Sequence, residues 1–290
     1  MLDGRSTSQK ILGRIASEIS MLSPGDKKPH LAAILVGNDG ASETYVAAKV
    51  KACQQIGFNS TLIRFDSLVS EKQLLEEVEK LNLNSEIDGI IVQLPLPSHI
   101  NEQRLTQAVS PEKDVDGFHP QNLGRLMLGM PGFVSATPKG IMMLLEEYDI
   151  ETEGKHCVIA GRSNIVGTPL SILMSRNRKP GNCTVTLCHS KTKNIGDLTL
   201  QADILVAALG KPGFVKADMV KNHSVIIDVG ITRVADNNRQ KGYRIQGDVD
   251  FESVSEKASW ITPVPGGVGA MTIAALMQNT LDAFRLHGIK

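Results

Sequence analysis

Two side chains that can transfer protons are spaced one helical turn apart early in the chain. Tyr45 and Lys49 fall within Ser42 to Ile56, a segment whose pattern predicts a helix. Residues at this spacing share one face of a helix. A lysine beside a phenol in an apolar cleft can have a lowered pKa and act as a general acid or base. A solvated surface lysine is the alternative that the spacing leaves open.

Polar side chains also follow the third predicted strand. Gln93 ends an apolar run that begins near Asp88, and the carboxyl ends of parallel strands are where α/β proteins usually bind ligands. A later loop, Lys113 to His119, holds Asp114 and Asp116. Either carboxylate can pair with an amidine-like edge of a heterocycle through two hydrogen bonds. A loop-capping amide and a surface turn are the alternatives.

A glycine-rich turn follows the strand predicted at Lys155 to Ala160. The turn, Gly161 to Gly167, reads G-x-S-x-x-x-G and leads into a helix that begins near Thr168-Pro169. A strand, a glycine turn and a helix N-terminus together are typical of a pyrophosphate site, because free backbone N–H groups point at the anion. An ordinary turn between strand and helix is the alternative.

The end of the next strand indicates which dinucleotide this turn accepts. An NAD site usually places Asp or Glu there to bind the ribose hydroxyls. In this chain the strand is followed by His189, Ser190 and Lys191, with no acid. Arg162 and Ser190, with Lys191 as a further candidate, can bind a 2′-phosphate. The charges therefore favour NADP as the cofactor.

Composition argues against several other classes of protein. Lys plus Arg and Asp plus Glu both total 31, so there is no basic excess of the kind that nucleic acid or an anionic membrane selects. The four cysteines form no C-x-x-C pair, and neither His119 nor His189 has a second ligand at metal spacing. No apolar run has the length of a signal peptide core or a membrane span. We expect buried reduced thiols, no metal and a cytoplasmic location.

The predicted elements form two α/β domains with a cleft between them. The first half has three buried strands between helices, at Leu31 to Gly37, Ser60 to Phe65 and Asp88 to Leu94. Residues 110–136 carry loop signals and no clear period. From Thr137-Pro138 onward, four further strands alternate with helices and indicate a Rossmann-type sheet. A last helix is expected from Ala270 to Leu286.

Five segments, in their order along the chain, resemble the methylenetetrahydrofolate dehydrogenase/cyclohydrolase family over essentially the whole length. They are Tyr45 to Lys49, Gln93 to Pro97, Lys113 to His119, Gly161 to Pro169 and Pro263 to Gly269. The resemblance implies a folate-binding catalytic domain of three-layer α/β architecture in residues 1–137. The same resemblance implies a Rossmann-type NADP-binding domain in residues 138–269. It also implies that the last helix, residues 270–290, returns to the N-terminal domain.

The resemblance further implies roles for single residues. Lys49 would be the catalytic lysine, with Tyr45 shaping the folate site beside it and Gln93 tuning the lysine. Asp116 would hold the pterin ring. The folate site would also include Pro263, Gly266 and Gly267. The cofactor site would comprise Gly161, Arg162, Ser163, Ile165, Gly167, Ser190 and Ile231.

The activity implied by the resemblance is a pair of reactions on one-carbon folates. NADP-dependent oxidation of 5,10-methylenetetrahydrofolate would be followed by hydrolysis to 10-formyltetrahydrofolate. The expected partners are tetrahydrofolate derivatives, with or without a polyglutamate tail, and a second copy of the chain in a homodimer, with no nucleic acid and no membrane. An enzyme with only one of the two activities and a non-catalytic nucleotide-sensing protein are the alternatives.

Two departures from the family pattern are visible. The family often has Pro-Cys-Thr-Pro where this chain has Ser135-Ala136-Thr137-Pro138, and it usually has Pro where this chain has Ala270. Neither position carries a catalytic group. We expect the departures to affect local loop geometry and cofactor affinity.

Overall fold

The computed structural model describes residues 1–236, 239 and 242–288, and its contacts divide the chain into two compact units. One unit, here called the three-stranded unit, contains Gln9–Ala136 and Ile273–Lys290. The other, the five-stranded unit, contains Met1–Ser8 and Thr137–Thr272. The first residues are held there because the Leu2 amide donates to the Ile261 carbonyl at 2.8 Å. The functional domain assignment itself stays a prediction.

The three-stranded unit is built on a parallel sheet with a buried central strand. Its strands are β1 (His30–Val36), β2 (Asn59–Phe65) and β3 (Gly89–Val92), in the order β2-β1-β3. Its helices are α2 (Gly40–Ile56), α3 (Glu71–Leu83), α4 (Glu102–Ala108) and α5 (Pro120–Leu128). Ile34 and Ile90 are buried in the core on one side of the sheet, together with Leu74 and Val78 of α3. Continuous apolar strands of this kind are expected in a parallel sheet that is covered on both faces.

Local caps explain where these helices begin and end. The Asp39 side chain accepts a hydrogen bond from the Ser42 amide at the start of α2, and Gly57 ends the helix with φ 80°. Glycine often ends a helix in this way, because it adopts the left-handed conformation without strain. Ser70 and Gln73 form a reciprocal capping box at the start of α3.

Helix α5 lies within residues 110–136, where the sequence predicts only loop structure, so that prediction was wrong for Pro120–Leu128. The helix begins with Pro120 after the His119 cap and ends at Gly129, whose φ is 73°. Proline in the first turn and glycine after the last are the usual signals of a helix. The nine-residue segment is too short to show a helical period clearly.

The five-stranded unit is also built on a parallel sheet. Its strands are β4 (His156–Ala160), β5 (Thr184–Cys188), β6 (Ile204–Ala207), β7 (Val225–Asp228) and β10 (Trp260–Ile261), in the order β10-β7-β6-β4-β5. The shorter helices are α7 (Gly167–Ser175), α8 (Ile195–Thr199) and α9 (Phe251–Ser255). The chain leaves β4 toward β5 on one side, and the later strands lie on the other. This is a doubly wound sheet with its switch point beside β4, which is where such sheets bind ligands.

Three longer helices contribute residues to both units: α1 (Gly4–Ile19), α6 (Ala136–Glu147) and α10 (Val268–Gly288). The last helix was expected to begin at Ala270 and begins at Val268 instead. Of the predicted range 270–290, residues 289–290 lie outside the described part of the chain.

The two-domain α/β prediction, with a Rossmann-type second domain, is confirmed. Every buried strand that was predicted is present, with ends shifted by one or two residues. The prediction omitted the antiparallel pair β8 (Thr232–Ala235) and β9 (Tyr243–Gln246) and the two-residue strand β10. These strands are too short for a clear pattern.

All four cysteines are free and buried, as expected. None of the described helices is long and apolar enough to cross a membrane.

Candidate active site

The predicted catalytic lysine lies on the buried face of α2. Lys49 is 8 % exposed, and its Nζ donates a hydrogen bond to Oε1 of Gln93 at 3.2 Å. Helix α2 follows β1 and Gln93 follows β3, and these two strands are neighbours in the sheet. The sheet order therefore brings the lysine and the glutamine together at the carboxyl ends of the strands.

The orientation of the Gln93 amide is fixed by the backbone. Its Nε2 donates to the Leu94 carbonyl at 2.8 Å, which leaves Oε1 directed at Lys49. The backbone N–H of Gln93 in turn donates to the Ile34 carbonyl of β1 at 2.9 Å. An ammonium group taken out of water needs such acceptors, because burial disfavours its charge. Gln93 therefore provides an acceptor for Nζ of Lys49 without carrying a charge of its own.

Tyr45 lies one turn before Lys49 on α2 and is half-buried. Burial raises the pKa of its phenol above the ordinary value. The hydroxyl therefore stays protonated over the physiological pH range and can donate a hydrogen bond. Its role beside the lysine stays a prediction.

The two aspartates of the 113–119 loop, of which the resemblance selects Asp116 and residue type alone selects neither, have different surroundings. The Asp114 carboxylate accepts hydrogen bonds from the Phe118 amide at 3.2 Å, the His119 amide at 2.8 Å and Nδ2 of Asn122 at 2.9 Å. Its pKa is nonetheless raised to about 6, because desolvation outweighs these bonds. Asp114 thus stabilises the conformation of the loop through these three hydrogen bonds.

Asp116, by contrast, is the acid that interacts with the lysine. It is 9 % exposed, and burial raises the pKa of its carboxyl, while the nearby charge of Lys49 acts in the opposite direction. The loop lies along the edge of β3, where the Ile90 amide donates to the Lys113 carbonyl at 2.8 Å. Lys49, Gln93 and Asp116 therefore lie close together in the three-stranded unit, and their assignment to one site stays a prediction. A buried ammonium near a carboxylate and an amide oxygen is suited to proton transfer.

The glycine turn after β4 has no room for larger residues at its two ends. A Cβ on Gly161 would meet the Ala208 backbone, and a Cβ on Gly167 would meet the backbone of Gly161 itself. Gly161 also has φ 137°, which side chains rarely adopt. Helix α7 begins at Gly167, and its cap residue Val166 makes no side-chain capping bond. This close turn at an uncapped helix N-terminus is a suitable cradle for a pyrophosphate.

A cavity of about 420 Å³ opens beside this turn at the carboxyl ends of β4, β5 and β6. Its described lining carries several cationic or hydroxyl groups and no carboxylate. The lining residues are Gly161, Arg162, His189, Ser190, Thr192, Ile195, Ala208, Leu209, Lys211 and Phe214. Arg162 and Ser190, the predicted pair for a 2′-phosphate, are thus in the same cavity. The donor set fits a phosphorylated dinucleotide.

The remaining predicted cofactor residues are Ser163 and Ile165, which lie in the turn, and Ile231, which follows β7. The Ser163 hydroxyl accepts a hydrogen bond from the Val166 amide at 3.2 Å and so helps to shape the turn. Ile165 and Ile231 are both 43 % exposed, unusually high for isoleucine, and each offers an apolar contact to a ligand. Gly167 begins α7, as described above. The cofactor contacts of these residues stay a prediction.

The predicted folate residues Pro263, Gly266 and Gly267 belong to the five-stranded unit, whereas Lys49 belongs to the three-stranded unit. Gly267 is buried, and a Cβ there would meet the Pro263 carbonyl. Gly266 has φ 109° and its carbonyl accepts from the Arg5 amide at 2.8 Å. Their part in folate binding stays a prediction.

A buried carboxylate that the sequence analysis missed shapes the cofactor cavity. Asp248 is fully buried and accepts the amides of Leu209, Gly210 and Lys211 at 2.5, 2.9 and 2.7 Å. The Asp248 amide itself donates to Asp228 at 2.9 Å. The pKa of Asp228 is raised to about 6, first by burial and also by Asp248. Asp248 thereby holds the segment after β6 that lines the cavity.

Comparison with protein families assigns the chain. Residues 2–116 match the tetrahydrofolate dehydrogenase/cyclohydrolase catalytic domain, and residues 135–288 match the NAD(P)-binding domain of the same family. The chain belongs to this family. It is 58% identical over 291 residues to the bifunctional protein FolD of Flavobacterium johnsoniae, covering 100% of this chain and 99% of the relative.

Solved structures of this family have the same fold as this chain. The Campylobacter jejuni bifunctional enzyme FolD, a methylenetetrahydrofolate dehydrogenase/cyclohydrolase, is 43% identical with a TM-score of 0.92, over 98% of both chains. The Trypanosoma brucei enzyme, solved with NADP cofactor and inhibitor, is 36% identical with a TM-score of 0.93, over 98% of this chain and 96% of that one.

One departure from the pattern of the dehydrogenase/cyclohydrolase family has a structural consequence. Ser135 is fully buried, and its Oγ donates to the Gly117 carbonyl at 3.1 Å. A proline at this position could not make that bond. Buried polar residues such as Ser135 and Asp248 are hard to assign from one sequence, because only their partners in space reveal what they hold.

Proposed function

We propose that this chain oxidises 5,10-methylenetetrahydrofolate with NADP⁺ and hydrolyses the product, 5,10-methenyltetrahydrofolate, to 10-formyltetrahydrofolate. The observation that carries the proposal is the partly buried hydrogen bond from Lys49 to Gln93, with Asp116 close enough for the charge of Lys49 to act on its carboxyl. The relatives named FolD are described as bifunctional, and the intact site of this chain supports both activities here.

In the first reaction the chain mainly binds and orients the substrate. Asp116 pairs with the pterin edge, which fixes the orientation of the bound folate. The folate nitrogens supply the electron density that expels a hydride from the bridge carbon, and NADP⁺, when bound, supplies the hydride acceptor. Orientation of the two reactants is the protein's main contribution to such a step.

In the second reaction the chain moves protons. Water adds to the amidinium carbon of the methenyl cation, the five-membered ring opens, and one proton is released overall. Lys49 accepts and returns protons at Nζ, close to the reacting carbon. Gln93 holds Nζ in place through the 3.2 Å bond. Tyr45, whose phenol stays protonated, is available as a hydrogen-bond donor to the substrate.

NADP rather than NAD is supported by the lining of the cofactor cavity. Gly161, Ser163 and Gly167 would hold the pyrophosphate at the start of α7, and Ile165 and Ile231 would give the cofactor apolar contacts. Arg162 and Ser190 line the cavity without an acid among its described residues, so a 2′-phosphate would meet donors and no repulsion. We assign folate binding to residues 1–137 together with the last helix, and NADP binding to residues 138–269.

The remaining parts of the proposal concern partners and location. Tetrahydrofolate derivatives, with or without a polyglutamate tail, are the substrates. Pro263, Gly266 and Gly267 complete the folate site, and the enzyme acts as a homodimer in the cytoplasm. Size-exclusion chromatography with light scattering tests the dimer, since a monomer at assay concentration would contradict it.

A single assay tests the two activities. Absorbance near 340–350 nm is followed with methylenetetrahydrofolate and either NADP⁺ or NAD⁺, and an acid quench then separates reduced cofactor from methenylfolate. The proposal expects reduced cofactor to form and methenylfolate to disappear in a second phase. Oxidation without hydrolysis would indicate a single-activity enzyme, and cofactor binding without turnover would indicate a nucleotide-sensing protein.

A further inference from the structure

Asn279 reaches from the last helix to the loop that carries Asp116. The side chain is 1 % exposed, and its Nδ2 donates to the Val115 carbonyl at 2.7 Å and to the Val134 carbonyl at 2.9 Å. All three residues belong to the three-stranded unit. The two protons of one amide group therefore join two separate backbone segments, one of them immediately before Asp116.

The backbone immediately after Asp116 is held in a similar way. The Gly117 carbonyl accepts from Oγ of the buried Ser135 at 3.1 Å. Gly117 has φ 71°, and a Cβ there would meet the backbone of Val134 and Ser135, so the two segments are in close contact. Asn279 binds the Val134 carbonyl, next to Ser135 in the chain. The carbonyls of the two residues next to Asp116, Val115 and Gly117, thus each accept a hydrogen bond from a buried side chain.

We propose that Asn279 is a positioning residue that holds Asp116 in the orientation needed to bind folate; this inference rests on the proposed function of the same site. The Asp116 carboxyl is buried near Lys49, and the peptide group that joins Val115 to Asp116 helps to set the direction of its side chain. Asn279 fixes this peptide group from α10 by binding the Val115 carbonyl. Removing its donors leaves the buried Val115 carbonyl and the half-buried Val134 carbonyl without this hydrogen-bond donor, a cost that the loop lowers by moving. Such a movement displaces Asp116.

A purely structural role for Asn279 makes a different prediction from a positioning role. If Asn279 acts through Asp116, its loss matters to folate only while Asp116 is present. If it merely stabilises the fold, the losses from the two substitutions multiply. Contacting residues that act together give non-additive effects in a double-mutant cycle, which is therefore the decisive measurement.

The experiment compares the full-length wild type with Asn279→Leu, Asp116→Ala and the double variant. Asn279→Leu should lower kcat/KM for methylenetetrahydrofolate at least about tenfold in the wild type and less than about threefold in the Asp116→Ala background. The Kd for NADP⁺ should stay within about twofold, because the cofactor cavity belongs to the other unit. Equal losses in both backgrounds, or no loss in the wild type, would overturn the inference.

Gln278→Leu is the matched control. Gln278 precedes Asn279 on α10, and its Nε2 binds Asp282 within the same helix at 2.9 Å, not the Asp116 loop. The same loss of an amide there should leave folate kcat/KM unchanged. Should Asn279→Leu fail to fold, Asn279→Ser, which keeps one donor, is carried through the same cycle with the same criterion. A wild type without folate turnover refutes the proposed function itself, whereas an active wild type with multiplicative losses refutes only the role of Asn279.

Discussion

Lys49 donates its hydrogen bond to Gln93 across 3.2 Å, and the carbonyl of Leu94 holds that same amide from its other end. The lysine is therefore directed by a neutral group whose own orientation is fixed by the backbone. Such an arrangement keeps Nζ in one place without placing a second charge in direct contact with it. The chemistry of the site should depend on this atom more than on any other.

Replacing Lys49 with Met should abolish hydrolysis of methenyltetrahydrofolate and leave NADP⁺ affinity near the wild-type value. The variant keeps the apolar part of the side chain and removes Nζ, so binding surfaces change little. General acid–base groups contribute on the order of 10²–10⁴ in rate. Lys51→Met, an exposed position on the same helix, should have no effect. Hydrolysis within about threefold of the wild type would refute the catalytic role.

Replacing Asp116 with Ala should raise the folate KM strongly and change the NADP⁺ KM little. Hydrogen bonds to a charged partner contribute roughly 1.5–3 kcal/mol each, so the folate KM should rise by one or more orders of magnitude. Steady-state kinetics with each substrate varied in turn gives both constants. Equal losses for folate and cofactor would point instead to a general disturbance of the fold.

Arg162→Ala should remove most of the preference for NADP⁺ over NAD⁺. We expect the wild type to prefer NADP⁺ by at least about tenfold in kcat/KM, roughly 1.4 kcal/mol. An arginine grips a phosphate through two N–H groups, whereas NAD offers only a hydroxyl there. The variant should therefore lose activity with NADP⁺ and keep it with NAD⁺. Arg178→Ala, an exposed arginine of the same unit outside the cavity lining, serves as the control.

Buffer composition decides whether this preference is intrinsic. Inorganic phosphate could occupy the place of the 2′-phosphate and support NAD⁺, so both cofactors are compared with and without phosphate. If NAD⁺ equals NADP⁺ in phosphate-free buffer, the assignment of Arg162 and Ser190 to the 2′-phosphate is wrong.

Asp228 should make the five-stranded unit less stable as the pH rises from about 4 to about 6. Its pKa is raised from 3.8 to about 6. The folded state therefore binds this proton more tightly than the unfolded state, and the unfolding free energy falls as pH rises between the two values. The shift corresponds to a loss on the order of 3 kcal/mol.

Asp228→Asn isolates this contribution. Denaturant unfolding of the wild type and the variant is measured at several pH values from 4 to 7. The wild type should lose stability relative to the variant as the pH rises through this window, because the amide does not titrate. Asp218→Asn, an exposed carboxylate of the same unit, should leave the pH profile parallel to the wild type. Parallel profiles for Asp228→Asn would contradict the raised pKa.

The sequence indicates the elements that carry the site because their signals are local. Continuous apolar runs identify the parallel strands, and Gly57 marks the end of α2. Tyr45 and Lys49 share a helix face by their spacing alone. The strand order that brings Gln93 to Lys49 is a property of the sheet, which periodicity does not encode.

The two aspartates of the 113–119 loop show where sequence reasoning stops. Asp114 and Asp116 are the same residue type in the same loop. The resemblance selects Asp116, but the physical difference becomes visible only in the donors around Asp114, which are two backbone amides and the side chain of Asn122. Asn279 is still harder to assign, since it acts on Val115 from 164 residues away in the sequence.

The segment after β6 has no regular secondary structure, yet one carboxylate, that of Asp248, accepts three consecutive amides in it. Backbone hydrogens exchange with solvent only when their acceptor is lost. The amides of Leu209, Gly210 and Lys211 should therefore exchange with deuterium as slowly as those of a strand, and they should do so together. In a hydrogen-exchange experiment this wall of the cofactor cavity would behave as one cooperative unit, released by a single local opening.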